Sequence, residues 1–157
     1  MQFNNLKDLE KYLQMQINES LKTEVAKTVK DEIALAVDRI IYEPNQPRVY
    51  ERRGIGLQNG GLADQTQMED VLESNGVLVV TNNAQPKVTG EYNGLDSDKS
   101  LAENIVKGYG SKDKWWNEPR DFIQSAKEEM QETKSHVQAL VNGLIERGID
   151  VDGKSFK

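Results

Sequence analysis

Between Leu6 and Ile40, apolar side chains recur at Leu6, Leu9, Leu13, Ile17, Leu21, Val25, Val29, Ile33, Val37 and Ile40, with no proline or glycine between them. Steps of three and four residues are the repeat of an amphipathic helix. Most of the steps here are four, which overshoots a turn of about 3.6 residues by about 40°, so the stripe drifts around the helix. Drift calls for a break or for a change of contacts along the helix. Asn18-Glu19-Ser20 is the expected break, because Asn and Ser side chains offer the backbone alternative hydrogen bonds and cap the turn that follows. The pattern therefore predicts a short helix or arm over residues 1–19 and a long helix from Ser20 to Ile41. Pro44 ends it, since a proline cannot donate its backbone nitrogen and pushes Glu43 away from helical angles.

The period then changes. Arg48 to Arg53 reads as a strand, and Gly54, Gly56, Gly60 and Gly61 around Leu57 and Leu62 read as a loop. Val71–Ser74 and Val77–Thr81 flank Asn75-Gly76, a pair that accepts the positive φ angles of a type I′ hairpin turn. Gln85 to Tyr92 is a third strand candidate, weakened by Pro86 and Gly90. Ser100 and Glu103 form a capping box for a short helix that Gly108 closes. A second long helix opens at Pro119, capped by Asn117 or Glu118, and carries one seam through Phe122, Ala126, Met130, Thr133, Val137, Leu140 and Leu144. Gly148 stops it, leaving residues 149–157 as a tail. The fold class is α+β in a single domain over residues 1–157: long N-terminal helix, small antiparallel sheet, short helix, long C-terminal helix.

Composition narrows the function. Only 36% of the 157 residues are hydrophobic and 29% are charged, so the core is modest and apolar surface is left for partners. A net charge of −6 argues against broad electrostatic grip on nucleic acid, which needs clustered Lys and Arg. The chain has no cysteine, hence no disulfide and no thiolate metal site, and synthesis in the cytosol is the simpler expectation. No signal peptide and no membrane-spanning apolar run is expected.

Candidate chemistry is sparse. Asp96-Ser97-Asp98-Lys99-Ser100 starts like a calcium loop, but Leu101 and Lys107 stand where its glycine and closing glutamate belong. His136 is the one histidine, and a lone histidine at the edge of an apolar seam is ordinarily a boundary residue. Gly54-Ile55-Gly56 and Gly108-Tyr109-Gly110 are too short to cradle phosphate. Asp64, Glu69 and Asp70 are the closest carboxylate group and read as a solvated turn. Arg48, Arg52 and Arg53 with Tyr42 and Tyr50 form a basic, aromatic spot better suited to carboxylates across a subunit boundary than to bases. Trp115-Trp116 in extended chain send their rings to opposite sides, one into the core and the other open to ordinary packing or to a protein contact. The expectation is no catalytic residue, no metal and no cofactor.

Three stretches carry a resemblance. Tyr42-Glu43-Pro44 through Tyr50-Glu51-Arg52-Arg53-Gly54 to Gly60-Gly61-Leu62, then Leu101–Gly108, then Pro119-Arg120-Asp121-Phe122-Ile123 occur in an order that resembles the minor structural proteins of tailed bacteriophages at the head-tail junction. Pro-Arg-Asp-Phe stands here where Arg-Pro-Phe is usual in that family. The resemblance implies a subunit of a neck or tail-completion ring, located in the virion after synthesis in the host cytoplasm. Its partners would be copies of itself, the portal-side connector and tail proteins, with the genome passing through unread and no membrane involved. The interface candidates are Tyr42, Tyr50, Arg52, Arg53, Leu57, Leu62, Trp115, Trp116 and Phe122. The rival readings are a cytoplasmic helical interaction module, which predicts an elongated dimer, and a small metal-dependent hydrolase, which needs converging carboxylates.

Overall fold

The computed structural model describes residue 3 and residues 5–44, 60–85, 99–108 and 118–151. The expected strand over residues 48–53, all but Gln85 of the one expected over residues 85–92, Asp96–Asp98 of the calcium-like stretch, and the candidates Tyr50, Arg52, Arg53, Leu57, Trp115 and Trp116 lie outside them.

The architecture mixes helices with a small sheet, as the pattern predicts. The first helix does not break at Asn18–Ser20. Helix α1 (Leu6–Ser20) runs through a π turn (Leu21–Val25) into α2 (Ala26–Val37) and a second π turn (Asp38–Tyr42), with the residues at each junction in right-handed helical conformation. Neither side chain at the expected break caps a new helix: Asn18 Oδ1 accepts from Gln14 Nε2 at 2.9 Å, and Ser20 Oγ donates to Glu24 Oε2 at 3.0 Å. The drift is resolved in another way. From Leu6 to Val25 the stripe gains about 100° of phase, the angle of one residue, and a π turn absorbs one extra residue. The bulge re-aims the apolar face without interrupting the hydrogen-bonded rod.

Strands β1 (Met68–Leu72) and β2 (Leu78–Asn82) pair antiparallel, Met68 opposite Asn82 and Leu72 opposite Leu78. The turn between them is not type I′. Gly76 N–H donates to Glu73 O at 3.0 Å and only Gly76, at φ 81°, is left-handed there. This is a type I turn closed by a left-handed glycine, the three-residue hairpin loop. Asn75 stays right-handed because its Oδ1 accepts from Val77 N–H at 3.0 Å. A 3₁₀ turn (Gln65–Gln67) leads into β1, and Asp64 caps it.

Helix α3 (Leu101–Lys107) has the expected capping box, with Ser100 Oγ accepting from Glu103 N–H at 3.2 Å and Glu103 accepting from Ser100 N–H at 3.3 Å. Gly108 follows in the left-handed conformation. Removing the cap by Ser100→Ala should lower stability by about 1 kcal/mol; denaturant titration should show the midpoint falling with the slope unchanged.

The C-terminal seam is corrected too. The helix opens at Phe122, not Pro119, and the cap is Asp121, whose Oδ1 accepts from Gln124 N–H at 2.8 Å. Lys134, at φ 58°, divides the seam into α4 (Phe122–Thr133) and α5 (Ser135–Glu146). The halves serve different partners: α4 packs on α2, and α5 packs on the π turn Leu21–Val25 and on α1. A straight helix holds one bearing, so the chain changes direction at Lys134.

The core lies at the C-terminal end of the long rod. Ile33, Ala34, Ala36, Val37 and Ile41 meet Leu62, Ala63, Met68, Ala84, Ala102, Phe122 and Ala126. Alanine dominates that cluster, so the elements approach closely and Phe122 is its largest fully enclosed side chain.

Candidate functional site

The densest polar constellation is where α5 crosses the first π turn. Gly143 is the contact point: a Cβ built on it would stand 2.0 Å from Ser20 Oγ and 2.5 Å from Glu24 Oε2. A helix-interior glycine costs roughly 0.5–1 kcal/mol relative to alanine, and here the close approach of the two helices requires it. Ser20 is completely buried and donates to Glu24. Thr23 Oγ1 donates to Glu24 Oε2 at 2.6 Å and lies 2.8 Å from Glu19 O. Arg147 reaches back from beyond α5, with Nη1 at 2.9 Å from Glu24 Oε2 and 2.7 Å from Gly143 O, and Nη2 at 3.2 Å from Glu24 Oε1 and 2.9 Å from Thr23 Oγ1. The two-pronged pairing of guanidinium with carboxylate is the strong geometry for such a contact. The π turn places Thr23 and Glu24 on this side of the rod, since a regular helix would have rotated them past it.

Burial pushes the Glu24 carboxyl up, but hydrogen bonds from Thr23, Arg147, Ser20 and a backbone amide outweigh it and hold the group at about 2, against the usual 4.5. A carboxyl lowered on folding stabilises the native state above its unfolded value and loses that contribution as pH falls through the folded value. Unfolding free energy should therefore decline between about pH 4.5 and pH 2, and Glu24→Gln should flatten that part of the curve in acid titrations followed by circular dichroism. These hydrogen bonds tie the N-terminal rod to the end of α5, and the constellation reads as a structural clamp.

The other candidates disperse. Asp64, Glu69 and Asp70 do not converge, and Asp64 is buried, not solvated as the sequence suggested. Its Oδ1 accepts from Thr66 N–H at 2.9 Å and its Oδ2 from Gly60 N–H at 2.7 Å, so the 3₁₀ turn consumes it. Glu69 points to the outer face and accepts from Asn83, while Asp70 pairs with Lys30 on the inner face. Among the described residues no three His, Asp or Glu side chains are grouped to hold a metal ion. His136 is half-buried at the start of α5 with Nδ1 unpartnered. Leu62 and Phe122 sit in the chain's own core, and Tyr42 packs against it.

Surface features missed from the sequence are more informative. Val71 and Val79 face each other across the hairpin, and Val77 lies on the same outer face; all three are exposed. Strand alternation puts Met68, Asp70 and Leu72 on the other side. Leu6, Met15, Leu35 and Ile145 also project from the helices. A cleft of about 310 Å³ is edged by Lys22, Lys27 and Lys30, and one of about 300 Å³ by Glu32, Asp38, Glu43 and Glu129. Among the described residues no helix is long and apolar enough to cross a membrane.

Compared with known families, the chain matches the one described as YomN over residues 5–146. No curated protein and no solved structure matches it. The chain belongs to the YomN family, a membership that suggests a phage origin.

Proposed function

We propose that this chain is a structural subunit of the head-tail connector of a phage, a neck or tail-completion protein that joins copies of itself into a ring between the portal-side connector and the tail. It works in the virion by binding, with no turnover of substrate and no cofactor. The observation that carries the reading is the outer face of the hairpin, where Val71, Val77 and Val79 form a contiguous exposed apolar patch on a two-stranded sheet. Scattered exposed apolar side chains need no explanation, whereas a contiguous patch on a short sheet is suited to a protein contact. Among the described residues no third strand lies beside the hairpin, and an open edge offers further backbone donors and acceptors to neighbouring copies.

Rigidity supports the same reading. The rod Leu6–Tyr42 is braced at one end by the alanine-rich core and in its middle by the Glu24–Arg147 clamp, and a spacer in an assembly has to hold distance and direction. The net charge of −6 suits a lumen that repels phosphate and lets the genome slide.

Sedimentation of the full chain over a wide concentration range tests this. Growth toward one closed oligomer is expected, with Val71→Lys and Val79→Lys together shifting the distribution toward monomer while the circular dichroism spectrum stays native. A chain that remains monomeric at every concentration, and that is absent by mass spectrometry from purified virions, would remove the reading.

A further inference from the structure

The two clefts lie along one rod and carry opposite charge. The first is edged by Lys22, Lys27 and Lys30, with Thr66 and Asp70 across from them. Lys30 is paired with Asp70, whereas Lys22 and Lys27 are exposed and, among the described residues, have no ion-pair partner. Ala26 lies buried beneath it, and the other side chains that line it are polar or charged. The second cleft lies farther along the rod. Glu32, Asp38 and Glu43 edge it, and Arg39 is already held by Glu129 at 3.2 Å and Ser125 at 3.0 Å. Leu35 stands at this second cleft 63% exposed, an apolar knob ringed by carboxylates.

We infer that the lysine cleft of one copy receives the Leu35 knob and its carboxylate ring from the next copy. The match is one of charge: the lysines of one copy face the carboxylates of the next. Because the two patches are different surfaces of the same chain, the contact is head-to-tail, and repetition of such a contact with a closing rotation makes a ring. Duplex DNA is the competing occupant of the lysine cleft. It fits less well, because the chain carries a net charge of −6 and two unpaired lysines are few for a phosphate backbone charged at about every 1.7 Å.

This inference rests on the ring reading and adds a second contact between copies to the hairpin face. The test is sedimentation velocity of the full chain and of three variants: K22E with K27E, E32K with E43K, and all four together. These positions are exposed or half-buried side chains of the rod, and circular dichroism checks that each variant folds. The expected result is self-association of the unaltered chain that weakens in high salt, with each two-site variant losing at least about tenfold in affinity, equivalent to roughly 1.4 kcal/mol. An equimolar mixture of the two variants should regain association, since one then offers only acidic patches and the other only basic ones. The four-site variant should also regain it.

Unchanged association in the two-site variants would overturn this joint and leave the ring reading standing. Loss in both without recovery in the mixture would overturn it as well, because the lysines would then not be answering these carboxylates. A monomeric unaltered chain would overturn the joint, and the virion measurement then decides the ring reading separately. If K22E with K27E abolished binding to a fluorescent DNA duplex and left self-association intact, the cleft would belong to DNA.

Discussion

Phe122→Ala should cost about 3–5 kcal/mol, the range for emptying a fully buried aromatic site. Phe122 has no exposed surface, and it meets a cluster composed largely of alanine with Ile33, Val37, Ile41, Leu62 and Met68. Alanines on rigid helices have no longer side chain with which to fill the void, so relaxation recovers little of the loss. Whole domains are stable by only about 5–15 kcal/mol, so the variant should sit near its folding threshold at room temperature. The same residue belongs to the Pro119–Ile123 stretch that resembles phage neck proteins, and the variant separates two roles. A core residue lowers the denaturation midpoint of the dilute, unassembled chain. A contact residue would leave that midpoint alone and weaken only association.

Gly143→Leu should be the other severe substitution, at about 2–4 kcal/mol, in or just above the usual cost of overpacking. The first added carbon already meets Ser20 Oγ at 2.0 Å and Glu24 Oε2 at 2.5 Å. Ser20 is enclosed and cannot withdraw, so Glu24 must swing away, and Arg147 then loses its carboxylate partner while still partly buried. Removing one partner of such a pair costs more than the pair contributes, because the other charge is left unmatched. Gly143→Ala should be milder, since it adds one carbon to the contact where leucine adds four. A double-mutant cycle with Ser20→Gly measures the clash directly: the two changes should be strongly non-additive. Additive free energies would mean that the helices do not meet at Gly143.

The legible parts of the fold were those written in local chemistry. Ser100 and Glu103 cap α3 through atoms three residues apart, and Gly108 closes it; nothing distant enters. Asn75-Gly76 marked the hairpin correctly, but the turn type depended on Asn75 Oδ1 binding Val77 N–H, and a two-residue motif does not specify that. The long stripes gave the helices but not their irregularities. A step of four requires some release of phase, and whether a helix breaks or bulges depends on what packs on it: here α5 arrives beside Ser20 and Thr23, so the rod stays whole. Likewise Lys134 divides the C-terminal seam because α4 and α5 must reach different stretches of that rod.

The clamp was the least legible feature. Glu24 and Arg147 are 123 positions apart, and no short motif joins residues so distant. One signal was present: Gly143 stands inside a helical stretch, Val141-Asn142-Gly143-Leu144, and a glycine there is unfavourable unless another backbone comes close. Asp64 was misread for the opposite reason. A carboxylate beside glycines suggests solvent, yet three local donors satisfy this one, including Thr66 Oγ1 at 2.6 Å, and permit its burial.

Imaging the head-tail junction of purified virions by cryo-electron microscopy tests the central claim most directly. The account predicts a ring of identical subunits at the neck, each fitted by the braced rod with its hairpin face against a neighbour. Density there that accommodates no copy of this rod, in virions whose assembly does not depend on the chain, would contradict it.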